Sequence, residues 1–173
     1  MLARIPRLTT ERLFVLTNGG GAGVLAADRL ADFGGQLAEL SAQTRLALDK
    51  AQPATWSTSN PVDIIGDAGI ERTTAALEIL LADPDPSALL VINCPTALVS
   101  STAIAEAVVS TVNRHRATAI QSKPILTNWL GSANAKPGRD LFGKNEIATF
   151  ETPDAAARGF MHLARYARAQ EAL

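Results

Sequence analysis

The sequence predicts an α/β domain of three layers, a parallel sheet with helices on both faces. Three observations predict it. Strand-like apolar runs alternate with helical periodicity along the 173 residues, the signature of repeated β-α units joined by right-handed crossovers. Ala88–Asn93 reads Ala-Leu-Leu-Val-Ile-Asn, nearly continuous in apolar character, as a central parallel strand buried on both faces must be. Leu13–Asp28 passes from an apolar run through three consecutive glycines into an Ala/Leu-rich pattern. That is a strand, a tight turn and a helix start.

The elements follow in order. Arg12–Thr17 is the first strand, and its helix is expected over about Ala22–Ala31. Asp32-Phe33-Gly34-Gly35 closes that helix with glycines at its C-terminal end. Gln36–Leu40 reads as a short second strand, and Ser41 as the N-cap of a helix over Ala42–Lys50. Gln52–Asp67 carries Pro53, Trp56, Ser57, Ser59, Asn60 and Pro61. It reads as an irregular loop with at most a brief extended piece at Val62–Ile64. A third helix spans Gly69–Leu81, with Ile70, Ala75, Leu77, Ile79 and Leu80 apolar, until Asp83-Pro84-Asp85-Pro86 stops it.

Ala88–Asn93 is the third strand and Cys94–Val99 its turn. Ser100 or Ser101 caps a helix over Thr102–Asn113. The fourth strand is Pro124–Asn128, followed by a short helix near Ala133–Phe142 and a fifth strand at Ile147–Phe150. Thr152-Pro153-Asp154 supplies a cap, a first-position proline and a first-turn acid, and the last helix runs to about Gln170. Five parallel strands suggest a flavodoxin-like sheet in the order 2-1-3-4-5, with ligands beyond the carboxyl ends of strands 1 and 3. Those ends are Thr17–Gly21 and Asn93–Ala97, so two separate sequence features converge on one crevice.

Composition excludes some functions. Net charge is −1 and 47% of residues are hydrophobic, which gives no electrostatic reason for a nucleic-acid or membrane partner. The single cysteine, Cys94, rules out an internal disulfide and fits a cytoplasmic location. No apolar run is long enough to span a bilayer. Met1–Arg7 has no apolar core after its charges, so no signal peptide is expected.

The glycine turn has two readings. Glycines admit φ > 0 and close approach of an anion, and the following helix points free N–H groups and its positive dipole end at the turn. The plainer reading is tight packing. As a dinucleotide fingerprint the turn is imperfect: Gly19 and Gly21 fit, Val24 stands where the third glycine belongs, and Glu39 lies about twenty residues on. No Gly-Lys-Ser/Thr follows, so it is not a P-loop. Cys94 could be a thiolate at a helix start, but a small buried apolar residue explains it more simply. His115, between two arginines at a helix end, and His162, inside the last helix, have no metal spacing and read as structural. Asn60-Pro61-Val62-Asp63 either caps a turn or bonds a ligand or a neighbouring loop. Trp56 and Trp129 read as core or interface residues. No pair of groups makes an evident catalytic set, which suggests a domain that holds a reacting group while another supplies the chemistry.

Leu16–Asp28 (Leu-Thr-Asn-Gly-Gly-Gly-Ala-Gly-Val-Leu-Ala-Ala-Asp) resembles a segment of the NDP-forming acyl-CoA synthetases, the superfamily of succinyl-CoA synthetase. Trp56-Ser57, Asn60–Ile64, Val91–Leu98, Phe150-Glu151-Thr152-Pro153, Arg165–Arg168 and the closing Gln170–Leu173 fit the same family in order. The likeness is to the CoA-ligase module equivalent to the carboxy-terminal part of the succinyl-CoA synthetase β subunit, so residues 1–173 form one domain, a fragment or subunit of a larger enzyme.

The resemblance implies three steps. An acyl-CoA exchanges CoA for phosphate, the acyl phosphate passes its phosphoryl group to a histidine, and the histidine passes it to ADP in an ATP-grasp domain. It also implies substrate or phosphate contacts at Asn18 with Gly19, Gly20 and Gly21, and at Thr96, Ala97 and Leu98. Where the β subunit has glycines this chain has Pro95-Thr96-Ala97, so acid specificity does not carry over. No Gly/Ser-His-Thr/Ala-Gly sequence exists here. The expected partners are the CoA-binding and ATP-grasp domains, acyl phosphate or phosphate, and a possible second copy in a homodimer. CoA, ATP/ADP and Mg2+ are implied for the full enzyme, with none bound by this domain alone and no turnover from it. Two rival classes stand beside this one: a synthetase-like regulatory domain of a protein lysine acetyltransferase, and a dinucleotide-binding oxidoreductase domain.

Overall fold

The computed structural model describes residue 8 and residues 10–119 and 122–171. The opening heptapeptide and Ala172-Leu173, on which the signal-peptide reading and part of the closing motif rest, lie outside the described residues. The elements are β1 (Arg12–Thr17), α1 (Gly20–Asp32), β2 (Gln36–Leu37), α2 (Ala42–Ala51), β3 (Val62–Asp63) and α3 (Ile70–Leu81). They continue as β4 (Ala88–Asn93), α4 (Ser101–Thr118), β5 (Ile125–Trp129), α5 (Lys136–Lys144), β6 (Ala148–Phe150) and α6 (Pro153–Glu171).

Every strand pair is parallel. The expected five-stranded sheet in the order 2-1-3-4-5 is corrected to six strands in the order β2-β1-β4-β5-β6, with β3 paired to β1 off that path. The physical reason lies on one edge of β1. There β2 covers Arg12 and Leu13, and β3 covers Leu16 and Thr17. Asn60 fills the gap between them. Its Oδ1 accepts from the Val15 N–H at 2.9 Å, and its Nδ2 donates to the carbonyls of Leu13 and Ala38, both at 2.9 Å. One amide side chain thus replaces a ladder of backbone bonds, which is why β2 stops at Leu37 rather than reaching Leu40.

Side chains alternate across the sheet with period two. Phe14 and Leu16, Leu89 and Val91, and Ile125 and Trp129 enter the core beneath α3, α4 and α5. Leu13 and Val15, Leu90 and Ile92, and Leu126 enter the core beneath α1 and α6. Each such side chain stabilises the fold by about 1.5–3 kcal/mol on full burial. Both tryptophans belong to that core. Trp129 is fully buried edge-on to Phe142, with ring centroids 4.7 Å apart, and Trp56 donates from Nε1 to Asp49 at 3.0 Å. Both side chains are buried within this domain.

Helix ends follow their local chemistry. After α1 the Gly34 N–H donates to Ala31 and the Gly35 N–H to Leu30, both at 2.9 Å, with Gly34 at φ +83°. That is a Schellman termination, and only glycine takes that φ without strain. α4 runs beyond the expected Asn113 to Thr118, its last turn carrying His115 and Arg116; the Arg116 charge is one that the dipole favours there. Among the described residues no helix is long and apolar enough to cross a membrane.

Candidate functional site

The carboxyl ends of β1 and β4 lie side by side, since Thr17 and Ile92 are register partners. Each runs into a helix, α1 from one face and α4 from the other. The two turns are clasped together by Asn18. Its Nδ2 donates to the Cys94 carbonyl at 2.9 Å, and the Cys94 N–H donates to its Oδ1 at 2.7 Å. Asn18 therefore acts as a bridge between the turns, and its second Nδ2 hydrogen has no partner among the described residues.

The glycine turn is already helix. α1 begins at Gly20, two residues before the expected start, with Gly19 as N-cap. The Gly19 N–H donates to Thr17 Oγ1 at 3.0 Å, and that hydroxyl donates to the Gly19 carbonyl at 3.1 Å. None of these glycines has a positive φ; Gly34 and Gly131 do. Their small size serves packing instead. A Cβ on Gly19 would stand 2.4 Å from the Cys94 sulfur, one on Gly20 2.7 Å from Asp63 Oδ2, and one on Gly23 3.0 Å from Thr17 Cγ2. Gly21 differs: a Cβ there meets nothing within 4 Å. At that position alone in the turn, no neighbour demands glycine.

The α1 start leaves donors free. Ala22 and Gly23 N–H groups reach the Gly19 carbonyl at 3.0 and 3.2 Å. The Gly20 and Gly21 N–H groups have no partner among the described residues. α4 begins at Ser101 with Ser100 as N-cap, whose Oγ accepts from the Ala103 N–H at 3.4 Å. Thr96, Ala97 and Leu98 precede it in an open loop, held locally by a 3.4 Å bond from the Leu98 N–H to Thr96 Oγ1. Leu98 is 70% exposed. Asn93 donates to Ser101 Oγ at 3.1 Å, and Trp129 Nε1 donates to the Ser101 carbonyl at 3.0 Å, so the helix start is anchored although its loop is not.

Electrostatics disfavour a thiolate in this crevice. Burial pushes the Cys94 thiol up, the Asp63 carboxylate pushes it further, and a hydrogen bond from Thr17 opposes both only in part. A thiol so placed, packed against Gly19, is no nucleophile at neutral pH. Asp63 Oδ1 accepts from the Ile65 N–H at 2.9 Å while Oδ2 lies against Gly20. The Asp63 carboxylate thus caps the turn after β3, one of the readings its sequence left open. The cavity between Thr17, Asn18, Asn93, Thr73 and Trp129 is about 10 Å3, room for roughly one water. Among the described residues no three His, Cys, Asp or Glu side chains group as a metal site, and His115 and His162 lie on α4 and α6 away from this end.

The fold and crevice define an α/β parallel-sheet domain with paired helix starts above a switch point, suited to an oxyanion. Comparison with known proteins makes the class specific. The Ligase-CoA domain family model matches residues 13–172, and the chain belongs to that family. It is 32% identical to the ADP-forming acetate–CoA ligase of Methanocaldococcus jannaschii, over 93% of this chain and 23% of the relative. It is also 32% identical to the α subunit of ADP-forming acetate–CoA ligase II of Pyrococcus furiosus, over 94% of this chain and 34% of that one. A solved acetyl-coenzyme A synthetase 1 of Ca. Korarchaeum cryptofilum, in complex with phosphate and ADP, superposes with a TM-score of 0.86 at 33% identity, covering 96% of this chain and 35% of that one. The chain thus spans between about a quarter and about a third of the length of these relatives. The relatives leave the acetyltransferase and oxidoreductase readings without support.

Proposed function

We propose that this chain is one domain of a larger ADP-forming acid–CoA ligase and supplies half of its acyl-phosphate and phosphohistidine site. The observation that carries the reading is the Asn18–Cys94 clasp, which holds the starts of α1 and α4 over one crevice in a chain of the Ligase-CoA family. The phosphoryl oxygens would meet the free N–H groups of Gly20 and Gly21 on one side and the first turn of α4 on the other. These donors are fixed before the reaction, so they stabilise charge as it develops on the acyl phosphate without reorganising. Asn18 would offer its spare Nδ2 hydrogen to a ligand oxygen. Thr96, Ala97 and Leu98, exposed beside the α4 start, would form the lip that meets a partner domain.

The remaining parts belong elsewhere in the enzyme. CoA would sit on a CoA-binding domain, ADP and Mg2+ on an ATP-grasp domain, and the phosphorylated histidine on a separate ligase domain, in the cytoplasm where these substrates are. The test is reconstitution. The purified chain with acid, CoA and ATP should show no turnover, and adding the missing domains in trans should restore it. Turnover from this chain alone, or no association with those domains at tens of micromolar (an order-of-magnitude choice), contradicts the reading. The same sedimentation run reports any self-association.

A further inference from the structure

We propose that the cleft between α1 and α6 is a second anion site, built for a compact phosphate-bearing molecule. The cleft has a volume of about 460 Å3, within the range of small-molecule sites, roughly 300–1,000 Å3. It lies against the sheet face opposite α3, α4 and α5, and shares no lining residue with the crevice at the carboxyl ends of β1 and β4.

Basic side chains converge from two helices. Arg158, His162 and Arg165 follow one another on α6 at spacings of four and three, which places them on one stripe of the helix. Arg29 faces them from α1, and Asp154 is the one carboxylate lining the cleft. The whole chain carries net charge −1, so this positive cluster is local. Arg29 donates from Nη1 to Asp32 at 3.0 Å and pairs through Nε with Asp154 at 3.1 Å. Arg158 pairs with Asp154 at 2.5 Å and sits 5.9 Å from the centroid of the Phe33 ring. Arg165 donates to the Phe33 carbonyl at 3.4 Å.

Each guanidinium carries five N–H donors in a rigid fork. Among the described residues the bonds above use a minority of them. Forked donors of this kind match the oxygens of a phosphate bidentately. Asp154 holds Arg29 and Arg158 together and competes with an incoming anion for the same donors.

The test is a titration of the isotope-labelled chain by NMR with pyrophosphate, ADP and adenosine. Pyrophosphate and ADP should shift the amides of Phe33 and of residues 158–165 along one isotherm, on the millimolar scale or tighter, and adenosine should not. Binding of ADP without pyrophosphate identifies an organic phosphate ester as the guest; equal binding of both identifies the phosphate alone, and each supports the site. Arg165→Ala should weaken binding about tenfold, the loss of one charge-assisted contact. Asp154→Asn should tighten it severalfold, because the competing carboxylate is gone while the side-chain volume stays. No shift at these amides, adenosine binding as well as ADP, or affinity unaltered in both variants overturns the proposal.

Discussion

The two turns at the ligand end of the sheet are built on opposite plans. The β1–α1 turn is packed from within: Cys94, Asp63 and Thr17 stand where side chains on Gly19, Gly20 and Gly23 would go, and both polar atoms of the Asn18 amide are engaged. The β4–α4 turn is open, with Ala97 and Leu98 exposed and one weak local bond at Thr96. A fixed platform therefore faces an adjustable lip. Under the proposed function the platform would meet the phosphoryl group, and the lip the acyl group or a partner surface.

Substitutions can break this contrast, the largest effect first. Gly19→Ala should destabilise by about 2–3 kcal/mol, since it drives a Cβ into the Cys94 sulfur of a packed turn. Pairing it with Cys94→Ala should recover at least about 1 kcal/mol as coupling energy in a double-mutant cycle, measured by denaturant unfolding. Simple additivity would mean that the sulfur is not what excludes a side chain. Asn18→Ala should cost about 2 kcal/mol, because the part-buried Cys94 N–H loses its acceptor and the Cys94 carbonyl its donor.

The end of α4 away from the platform offers a control by pH. Burial, with the Lys123 charge second, holds the His115 imidazole below its ordinary value of 6.5. A lowered folded value means that the unfolded chain binds the proton first. The stability contribution is then complete above about 6.5 and is lost as pH falls below it toward the folded value. His115→Gln should flatten that part of the stability curve in chemical denaturation at a series of pH values, and leave platform variants unaffected.

The smallest effect has the opposite sign. Gly21→Ala should stabilise by up to about 1 kcal/mol, the helix-propensity gain, since its Cβ enters open space. Neighbouring glycines would then respond in contrary directions. If the same variant also weakens phosphate binding, the glycine at this position is kept for the ligand and not for the fold.

The sequence made the strands with continuous apolar runs legible, and the Gly34-Gly35 helix end, because those signals are local. The crevice was legible too, as glycine and turn residues at the ends of two adjacent strands. Asn60 was not. Its three bonds reach Leu13, Val15 and Ala38, and nothing local marks an asparagine that stands in for a strand. For the same reason β3 read as a fragment of loop and the sheet as five strands. The glycines were legible as a turn but misleading in mechanism: freedom of φ was expected, while Cys94 and Asp63, distant in sequence, decide where a Cβ cannot go.

Under the proposed function α1 and α4 present one shared oxyanion site. Each helix start contributes about 0.3–1 kcal/mol when exposed and up to roughly 2 when partly buried, so phosphate should bind this isolated half-site on the millimolar scale or weaker. The most direct measurement is a phosphate titration by NMR on the Arg165→Ala chain, which weakens the α1–α6 cleft. The amides of Gly20, Gly21, Ser101 and Thr102 should move together along one isotherm. Movement of the α1 amides without those of α4, or of neither pair, would contradict a shared site.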